Sequence, residues 1–488
     1  MVNQLYFLIS VYLVGAFFSI LLFKNLKLSV RYFVTPLLGV SFLSFSVGCL
    51  IVFHVPVKLV SVFVILLILW LLLYYHSYFR AVEEEKGILS DFKGYWSLKE
   101  FISSLFLYSI IATFFVFWGK SSPGSDSTQF EGIGRFLGNG GTLKDQPPYL
   151  AFLLNGRLLV VGAMHCLNRI YGGYSLYALN PTILIWSLGF FTLLFRDLMG
   201  DLPRERKYIL IGLFFLAMFL CKNFFTQIFL IHSNAFAMIY FSLAIICLYS
   251  FSKSVNESWL TLGSFLMGTA TLIRVDMLIF SLLYFVLFAS VVDSDQSALR
   301  KSWAVFFLIS VPWRLFTLYY TPFNVFYVNA SHIILLLIAN IGLALFSFFA
   351  QKKMLNLFRN LPLLCSVGIF TLIFLSPLFR PEGLQLAWEV FIKHRLLGQD
   401  WLFLFTAMIV MLFVTPKMKE KDTNITLFEY SSWLYIFLLT LMVIMYDYAE
   451  KDHSAGRILN HIVPLVVFWV FLSFSHVIGE SKKEFQNI

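Results

Sequence analysis

The feature that most constrains this chain is a long succession of apolar runs, each close to the length that crosses a lipid bilayer. A helix needs about 20 apolar residues to cross roughly 30 Å of hydrocarbon, and about fifteen runs approach that length. Their approximate positions are 4–23, 33–53, 58–77, 101–118, 177–195, 207–221, 233–251, 259–272, 275–292, 303–320, 333–350, 360–376, 400–415, 430–446 and 459–476. The runs predict an all-α polytopic membrane protein with about 13–15 transmembrane helices.

Composition agrees with this prediction and excludes other classes of protein. Apolar residues make up 59% of the 488 and charged residues only 13%, and mean hydropathy is +0.82. A soluble enzyme, a disordered chain or a nucleic-acid-binding module does not have these values. The cysteines lie far apart with no CxxC pair, so neither a disulfide framework nor a zinc site is indicated; they are Cys49, Cys166, Cys221, Cys247 and Cys365.

The cations predict the orientation of the chain. About 22 of the 36 Lys and Arg residues fall in alternate short loops, beginning with 24–31 and ending with 482–483. Because cytoplasmic loops carry the excess of cations, that side is predicted to be cytoplasmic, with the N-terminus outside and the C-terminal tail inside. The first apolar run lacks a small-residue cleavage site, and further crossings follow it. We therefore expect an anchor rather than a removed signal peptide.

The predicted external segment 119–176 is about 58 residues long, too long for a simple connection. It begins with a break at Pro123-Gly124, after which apolar residues at amphipathic spacing predict a helix over 127–138. Asp126 would lie at the N-terminal edge of that helix, either as a helix cap or as a functional carboxylate. A second amphipathic stretch, 149–170, predicts another juxtamembrane helix.

Two more polar clusters fall at predicted external helix ends. The first contains Arg274 and Asp276, between two apolar runs that look like a pair hinged near Ile273. This charged pair is either an anchor at the membrane surface or part of a site. The second cluster, 446–457, ends with Arg457 at the external end of the last crossing. No HExxH, P-loop or GxSxG motif is present, so zinc proteolysis, ATP hydrolysis and serine hydrolysis have no support.

Four motifs resemble the GT-C superfamily of integral membrane glycosyltransferases over roughly residues 100–475. Gly124-Ser125-Asp126 resembles the acidic external loop of the family, and Ser233-Asn234-Ala235-Phe236-Ala237 resembles the small, polar start of one of its crossings. The segment from Gly268 to Asp276 resembles a small-residue helix that ends in Thr-Arg-Pro-Asp/Glu, with Val275 in place of Pro. Pro312-Trp313-Arg314 and Gly456-Arg457-Ile458 resemble the later external elements. Two features depart from the family: three crossings precede the acidic loop, and Asp126 has no adjacent carboxylate.

This resemblance implies a sugar transfer from a polyprenyl-phosphate donor, embedded among membrane lipids, to a glycan, lipid or protein acceptor. It implies that Asp126 is the general base, that Arg457 binds the leaving phosphate, and that Arg274 is a second cation. The remaining expected cleft residues are Glu131, Asp276 and His453. No cofactor is required and no metal ligand is assigned, although the chemistry is compatible with a divalent cation. Nucleic acid is not an expected partner.

The same resemblance divides the chain into a three-helix extension at 1–100, a catalytic domain at 101–476 and a tail at 477–488. The alternative functions are a transporter or lipid flippase, which would place ionisable groups at mid-membrane, and a scaffold or a glycan polymerase or ligase using the external segment 377–399. The absence of a retention signal favours a bacterial inner membrane over the endoplasmic reticulum.

Overall fold

A computed structural model of the chain describes most of its helical residues. The described residues are 1–23, 25–83, 97–119, 125–142, 159–173, 176–199, 202–221, 233–291, 296–320, 330–349, 426–445 and 459–486, with positions 367, 371, 375, 382, 385, 406–411 and 413–414. Within these residues all regular structure is helical and no strand occurs. The all-α prediction is therefore confirmed for this part of the chain.

Fifteen α-helices have both ends within the described ranges. They are α1 Val2–Leu22, α2 Leu28–Val52, α3 Leu59–Glu83, α4 Leu98–Trp118, α5 Ser125–Gly138, α6 Leu159–Ile170, α7 Leu179–Leu198, α8 Arg204–Leu220, α9 Ser233–Ser254, α10 Glu257–Ile273, α11 Met277–Val291, α12 Gln296–Tyr320, α13 Ala330–Phe349, α14 Thr426–Met445 and α15 Val463–Gln486. A 3₁₀ turn, Asn460–Ile462, leads into α15.

The helices identify the chain as an integral, multi-pass membrane protein. Among the described residues, six helices are long and apolar enough to cross a bilayer: α1, α2, α4, α7, α9 and α12. Shorter apolar helical segments occur in α3, α6, α11, α13 and α15. The predicted runs 360–376 and 400–415 lie largely outside the described residues. The total of 13–15 crossings stays a prediction.

The first two helices form an antiparallel pair in which the backbones touch. A Cβ atom added to Gly39 would lie 1.8 Å from the carbonyl oxygen of Val11, and one added to Gly15 would lie 1.8 Å from that of Thr35. Only glycine fits at such a separation, and this close approach replaces the hydrophobic driving force that is missing between helices in lipid. The glycines therefore set the distance between α1 and α2.

Two long helices lie at the centre of the bundle. The helix α2 contacts α3, α4, α6 and α7, and α9 contacts α7, α10, α11, α14 and α15. One continuous core contains buried side chains from Phe7 near the start of the chain to Leu472 in the last helix. The first three helices thus share packing with the later ones, while the functional division at residue 100 stays a prediction.

Contacts between loops support the predicted alternation of the crossings. Four interactions join segments that the cation pattern places on the cytoplasmic side. They are Lys27 with Asp197 at 2.9 Å, Asn256 with the carbonyl of Asn25 at 2.9 Å, Lys301 with Glu257 at 2.9 Å, and Tyr32 with the carbonyl of Ser97 at 3.0 Å. We call this the cation-rich end, and the opposite end is the predicted external one.

Candidate functional site

The turn between α10 and α11 lies inside the bundle, below the surface opposite the cation-rich end. The helix α10 begins after Asn256, at the cation-rich end, and ends at Ile273. The turn at 274–276 therefore lies at the opposite, predicted external end, where its charged side chains are buried. The expected hinge at this position is confirmed.

Local backbone geometry explains why the chain turns here. Arg274 leaves the helix with extended backbone (φ −147°, ψ 138°). The N–H groups of residues 277–279 then donate to the carbonyl groups of 274–276 at 3.0–3.2 Å, which is a tight 3₁₀-type start for α11. Close packing holds the hairpin, because a Cβ on Gly263 would lie 2.6 Å from the hydroxyl of Tyr284.

The charged residues of this turn are paired and buried. The Nε atom of Arg274 donates to both carboxylate oxygens of Asp276 at 3.0 and 3.1 Å, and Nη2 donates to Oδ2 at 2.8 Å. Nη1 donates to Oδ1 of Asn234, in the first turn of α9, at 2.5 Å. Arg274 is 4% exposed and Asp276 6%. Such charge-assisted contacts are the strong ones among protein hydrogen bonds, and they join α9 to the α10–α11 turn.

A second arginine reaches the same turn from α12. An Nη atom of Arg314 donates to the carbonyl of Thr271 in the last turn of α10. The last carbonyls of a helix carry partial negative charge, which a guanidinium stabilises. Arg314 is 1% exposed and lies close enough to Asp276 for an electrostatic interaction. Arg314 therefore ties α12 to the C-terminal end of α10.

Tyr435 and His461 form a hydrogen-bonded pair near these charged residues. The hydroxyl of Tyr435, on α14, lies 2.6 Å from Nδ1 of His461, and Tyr435 interacts electrostatically with Arg274 and Asp276. The carbonyl of His461 accepts a hydrogen bond from Ser242 of α9 at 2.9 Å. These hydrogen bonds link the turn before α15 to α14 and α9, and Tyr435 brings them next to the α10–α11 turn. We call the whole set the buried polar cluster: Asn234, Arg274, Asp276, Arg314, Tyr435 and His461.

The buried polar cluster holds two guanidinium groups and one carboxylate, and with a neutral His461 its formal charge is +1. An excess of positive charge at this end of the bundle suits an anionic group such as a phosphate. In this conformation, however, the charged groups bind one another or neighbouring polar groups, and they are buried. Their direct effect here is to join α9, α12 and the α10–α11 turn at the predicted external end.

The loop that carries Asp126 begins with a helix, as the sequence predicts. The helix α5 starts at Ser125, two residues before the predicted start, so Asp126 lies in its first turn rather than in front of it. An acidic residue there is favoured by the helix dipole. The Asp126 side chain lies outside the described ones. Glu131 is half-buried and lies 3.7 Å from Arg135 on the same helix.

The helix α5 packs tightly on α6. A Cβ atom on Gly134 would lie 2.3 Å from the Cβ of His165, so the two helices touch at that glycine. His165 is buried. Burial, assisted by the charge of Arg135, lowers the pKa of His165 to about 3, because an imidazolium there would be poorly solvated. The described part of α6 has 12 residues, Leu159–Ile170. The predicted juxtamembrane helix at 149–170 is described from 159 onward.

The structure thus brings two of the predicted site residues together, places a third elsewhere, and does not test the positions of the others. Arg274 and Asp276 form one ion pair, whereas Glu131 pairs with Arg135 on α5. Arg457 and His453 lie outside the described residues. The expected meeting of Asp126 and Arg457 in one external cavity stays a prediction. The helix α6 contacts both α5 and α10, so it connects the acidic loop to the helix that ends at the cluster.

Sequence reasoning did not select four members of the buried polar cluster as site residues. Arg314 had a usable signal, because it is a charged residue inside an apolar run. Asn234 belongs to the motif Ser233-Asn234-Ala235-Phe236-Ala237, but the sequence did not indicate what it contacts. Tyr435 and His461 gave no signal in the sequence, since an aromatic or histidine side chain in an apolar run usually fills a core.

No group of three or more His, Cys, Asp or Glu side chains is arranged to hold a metal ion in the part of the chain that the structure describes. No protein-family model matches the sequence, and neither a curated protein nor a solved structure matches it.

Proposed function

We propose that this protein is a membrane glycosyltransferase that moves a sugar from a polyprenyl-phosphate donor to a lipid, glycan or protein acceptor at the external face. We place it in a bacterial inner membrane. The observation that supports this most is the position of α5. It starts seven residues after the end of the crossing α4 and carries Asp126 in its first turn, at the end opposite the cation-rich loops.

The chemistry suits such a site. A polyprenyl phosphate is a good leaving group, so the reaction needs no general acid but does need a base for the acceptor hydroxyl. We assign Asp126 as that base. The donor phosphate gains charge as the sugar leaves, and we assign Arg457 to stabilise it, because a guanidinium matches a phosphate in shape and charge. Holding the lipid donor and the acceptor at one depth would supply much of the rate.

We also assign Arg274 as a second cation, and Asp276, Glu131 and His453 as residues that line the cleft. The ion pair with Asp276 gives Arg274 a fixed orientation, and the neighbouring Arg314 adds positive charge. Arg457 precedes His461 of the buried polar cluster by four residues, and four residues span at most about 14 Å. We therefore expect Arg457 at the same end of the bundle as the cluster.

The test is sugar transfer by purified protein in proteoliposomes, using a panel of radiolabelled prenyl-phospho-sugars with and without a chelator. Asp126→Asn should abolish transfer, because the amide cannot accept the proton. The control is Glu100→Gln, which removes an exposed carboxylate at the opposite end of α4 and should leave transfer unchanged. Full activity of Asp126→Asn would remove Asp126 from the role, and no transfer with any donor would count against the enzyme proposal.

One observation favours the alternative of a transporter or flippase. The buried ion pair of Arg274 and Asp276 lies in a break between two short helices, which is a feature of transporter binding sites. The same proteoliposomes separate the two functions. A transporter would move a labelled prenyl-phospho-sugar between leaflets without forming a new glycosidic bond, whereas the enzyme would form the bond.

A further inference from the structure

A polar cavity opens at the cation-rich end, far from the site described above. Its volume is about 340 Å³, and it lies between the start of α2, the end of α7 and the start of α8. Four cationic side chains, one carboxylate and one leucine line it: Lys27, Arg196, Arg204, Lys207, Asp197 and Leu202. The lining therefore has a formal charge of +3.

Asp197 orders two of these cations without enclosing them. It accepts hydrogen bonds from Nζ of Lys27 at 2.9 Å and from Nη2 of Arg196 at 3.1 Å. The side chains of Lys27 and Arg196 remain 71% and 53% exposed. One carboxylate thus pairs with two cations at the edge of the cavity. Because it neutralises only one of their two charges, the group of three keeps a net positive charge.

Arg204 and Lys207 complete the lining from the first turn of α8. The Nε atom of Arg204 donates to the hydroxyl of Tyr208 at 3.2 Å, and its guanidinium carbon lies 5.5 Å from the centre of that ring. These contacts orient the guanidinium beside the Tyr208 ring. The N-terminal end of α8 adds partial positive charge at the same place. Glu205 is exposed in the same turn but does not line the cavity.

The exposed side chains along α8, which begins at the cavity, indicate a lipid rather than a soluble anion. Tyr208, Leu213, Leu216 and Leu220 are 57%, 46%, 54% and 68% exposed. The sequence predicts a crossing at 207–221; in a crossing helix such side chains lie against acyl chains, and the tyrosine lies at headgroup depth. That prediction places the cavity at the level of the lipid phosphates, at the start of a hydrocarbon-facing helix.

We propose that this cavity binds the phosphate headgroup of an anionic phospholipid of the cytoplasmic leaflet. Basic pockets between transmembrane helices on this side suit such headgroups, and charge-assisted hydrogen bonds from Arg and Lys suit phosphate oxygens. The bound lipid would bridge the start of α2 to the α7–α8 connection, which joins the N-terminal helices to the rest of the bundle. The proposal is independent of the proposed sugar transfer.

The test is a lipid titration of the full-length protein in neutral detergent, followed by native mass spectrometry. Dioleoyl phosphatidylglycerol should bind, and dioleoyl phosphatidylcholine should bind much more weakly. Arg204→Gln/Lys207→Gln should lower the affinity for phosphatidylglycerol about 30-fold, at about 1 kcal/mol for each cation near the surface. The control Arg206→Gln/Arg300→Gln removes two exposed cations that do not line the cavity, and it should change the affinity less than twofold.

Each other outcome overturns the proposal. Equal loss in the control would mean a general effect of charge. Competition by inorganic phosphate at the same concentration as the lipid would mean a site for free anions. Equal affinities for phosphatidylcholine and phosphatidylglycerol would mean that the cavity does not distinguish lipids by their headgroup charge. If the double variant does not fold, Arg204→Gln and Lys207→Gln are measured separately. Each should weaken binding about fivefold, and unchanged affinity in both would refute the assignment.

Discussion

The buried pair of Arg274 and Asp276 gives the sharpest test of the packing. Asp276→Asn keeps the shape of the side chain but removes its charge, and it leaves Arg274 and Arg314 as buried cations without the neighbouring carboxylate. Removing one partner of a buried ion pair costs ~3–5 kcal/mol, and the three contacts of 2.8–3.1 Å place this pair in that class. We expect Asp276→Asn to lower the free energy of unfolding by that amount.

Asp197 provides the matched control, because it also pairs with Arg but its side chain is 26% exposed. Ion pairs near the surface contribute about 0–1 kcal/mol, so Asp197→Asn should cost less than ~1 kcal/mol. The measurement is unfolding by SDS in mixed micelles, followed by tryptophan fluorescence. The double variant Arg274→Gln/Asp276→Asn should cost at least ~2 kcal/mol less than the sum of the two single variants. Equal costs for the two aspartates, or strict additivity in the double variant, would refute the buried pairing.

Three other predictions follow from the packing and from burial. Gly39→Ala should destabilise the protein by ~1–3 kcal/mol because its Cβ would overlap a backbone oxygen, whereas Gly212→Ala, in open space on α8, should be neutral or stabilising; the same sign for both in SDS unfolding would contradict this. Tyr435→Phe should cost ~1 kcal/mol by removing the hydrogen bond to His461, and an unchanged midpoint would argue against that bond. Because the pKa of His165 is lowered to about 3, the unfolded state binds the extra proton between about pH 6.5 and 3. Stability should therefore fall by ~2 kcal/mol from pH 7 to 5, and His165→Gln should remove that part of the pH dependence.

Many features of the fold were open to prediction because they follow from local sequence. The apolar runs predicted an all-helical, membrane-spanning chain, and the alternation of cations predicted which loops lie on the same side. The hinge near Ile273 was also predictable, since two charged residues interrupt an apolar stretch there. In α5 the helix began two residues earlier than expected, because the sequence marks the break at Pro123-Gly124 but does not fix the first helical residue.

The candidate site was only partly predictable. Arg274 and Asp276 were selected because charge is costly in a membrane, and the turn at 274–276 puts both in one ion pair. The partners that complete the cluster come from helices far apart in sequence, as with Tyr435 on α14 and Asn234 on α9. Sequence patterns report a residue's own helix face, and they contain no information on which distant helix packs against that face.

By itself, then, the sequence determined that the chain is a helical membrane protein and which loops lie at the same end of the bundle, because hydrophobic length and charge bias act within short segments. Only the tertiary structure decided that Gly15 and Gly39 bring two backbones into contact, that Arg314 meets the end of α10, and that four cations and one carboxylate line one cavity at the cation-rich end. These depend on how the helices cross. Helix crossing is set by the shapes of surfaces that meet only when the whole bundle is packed.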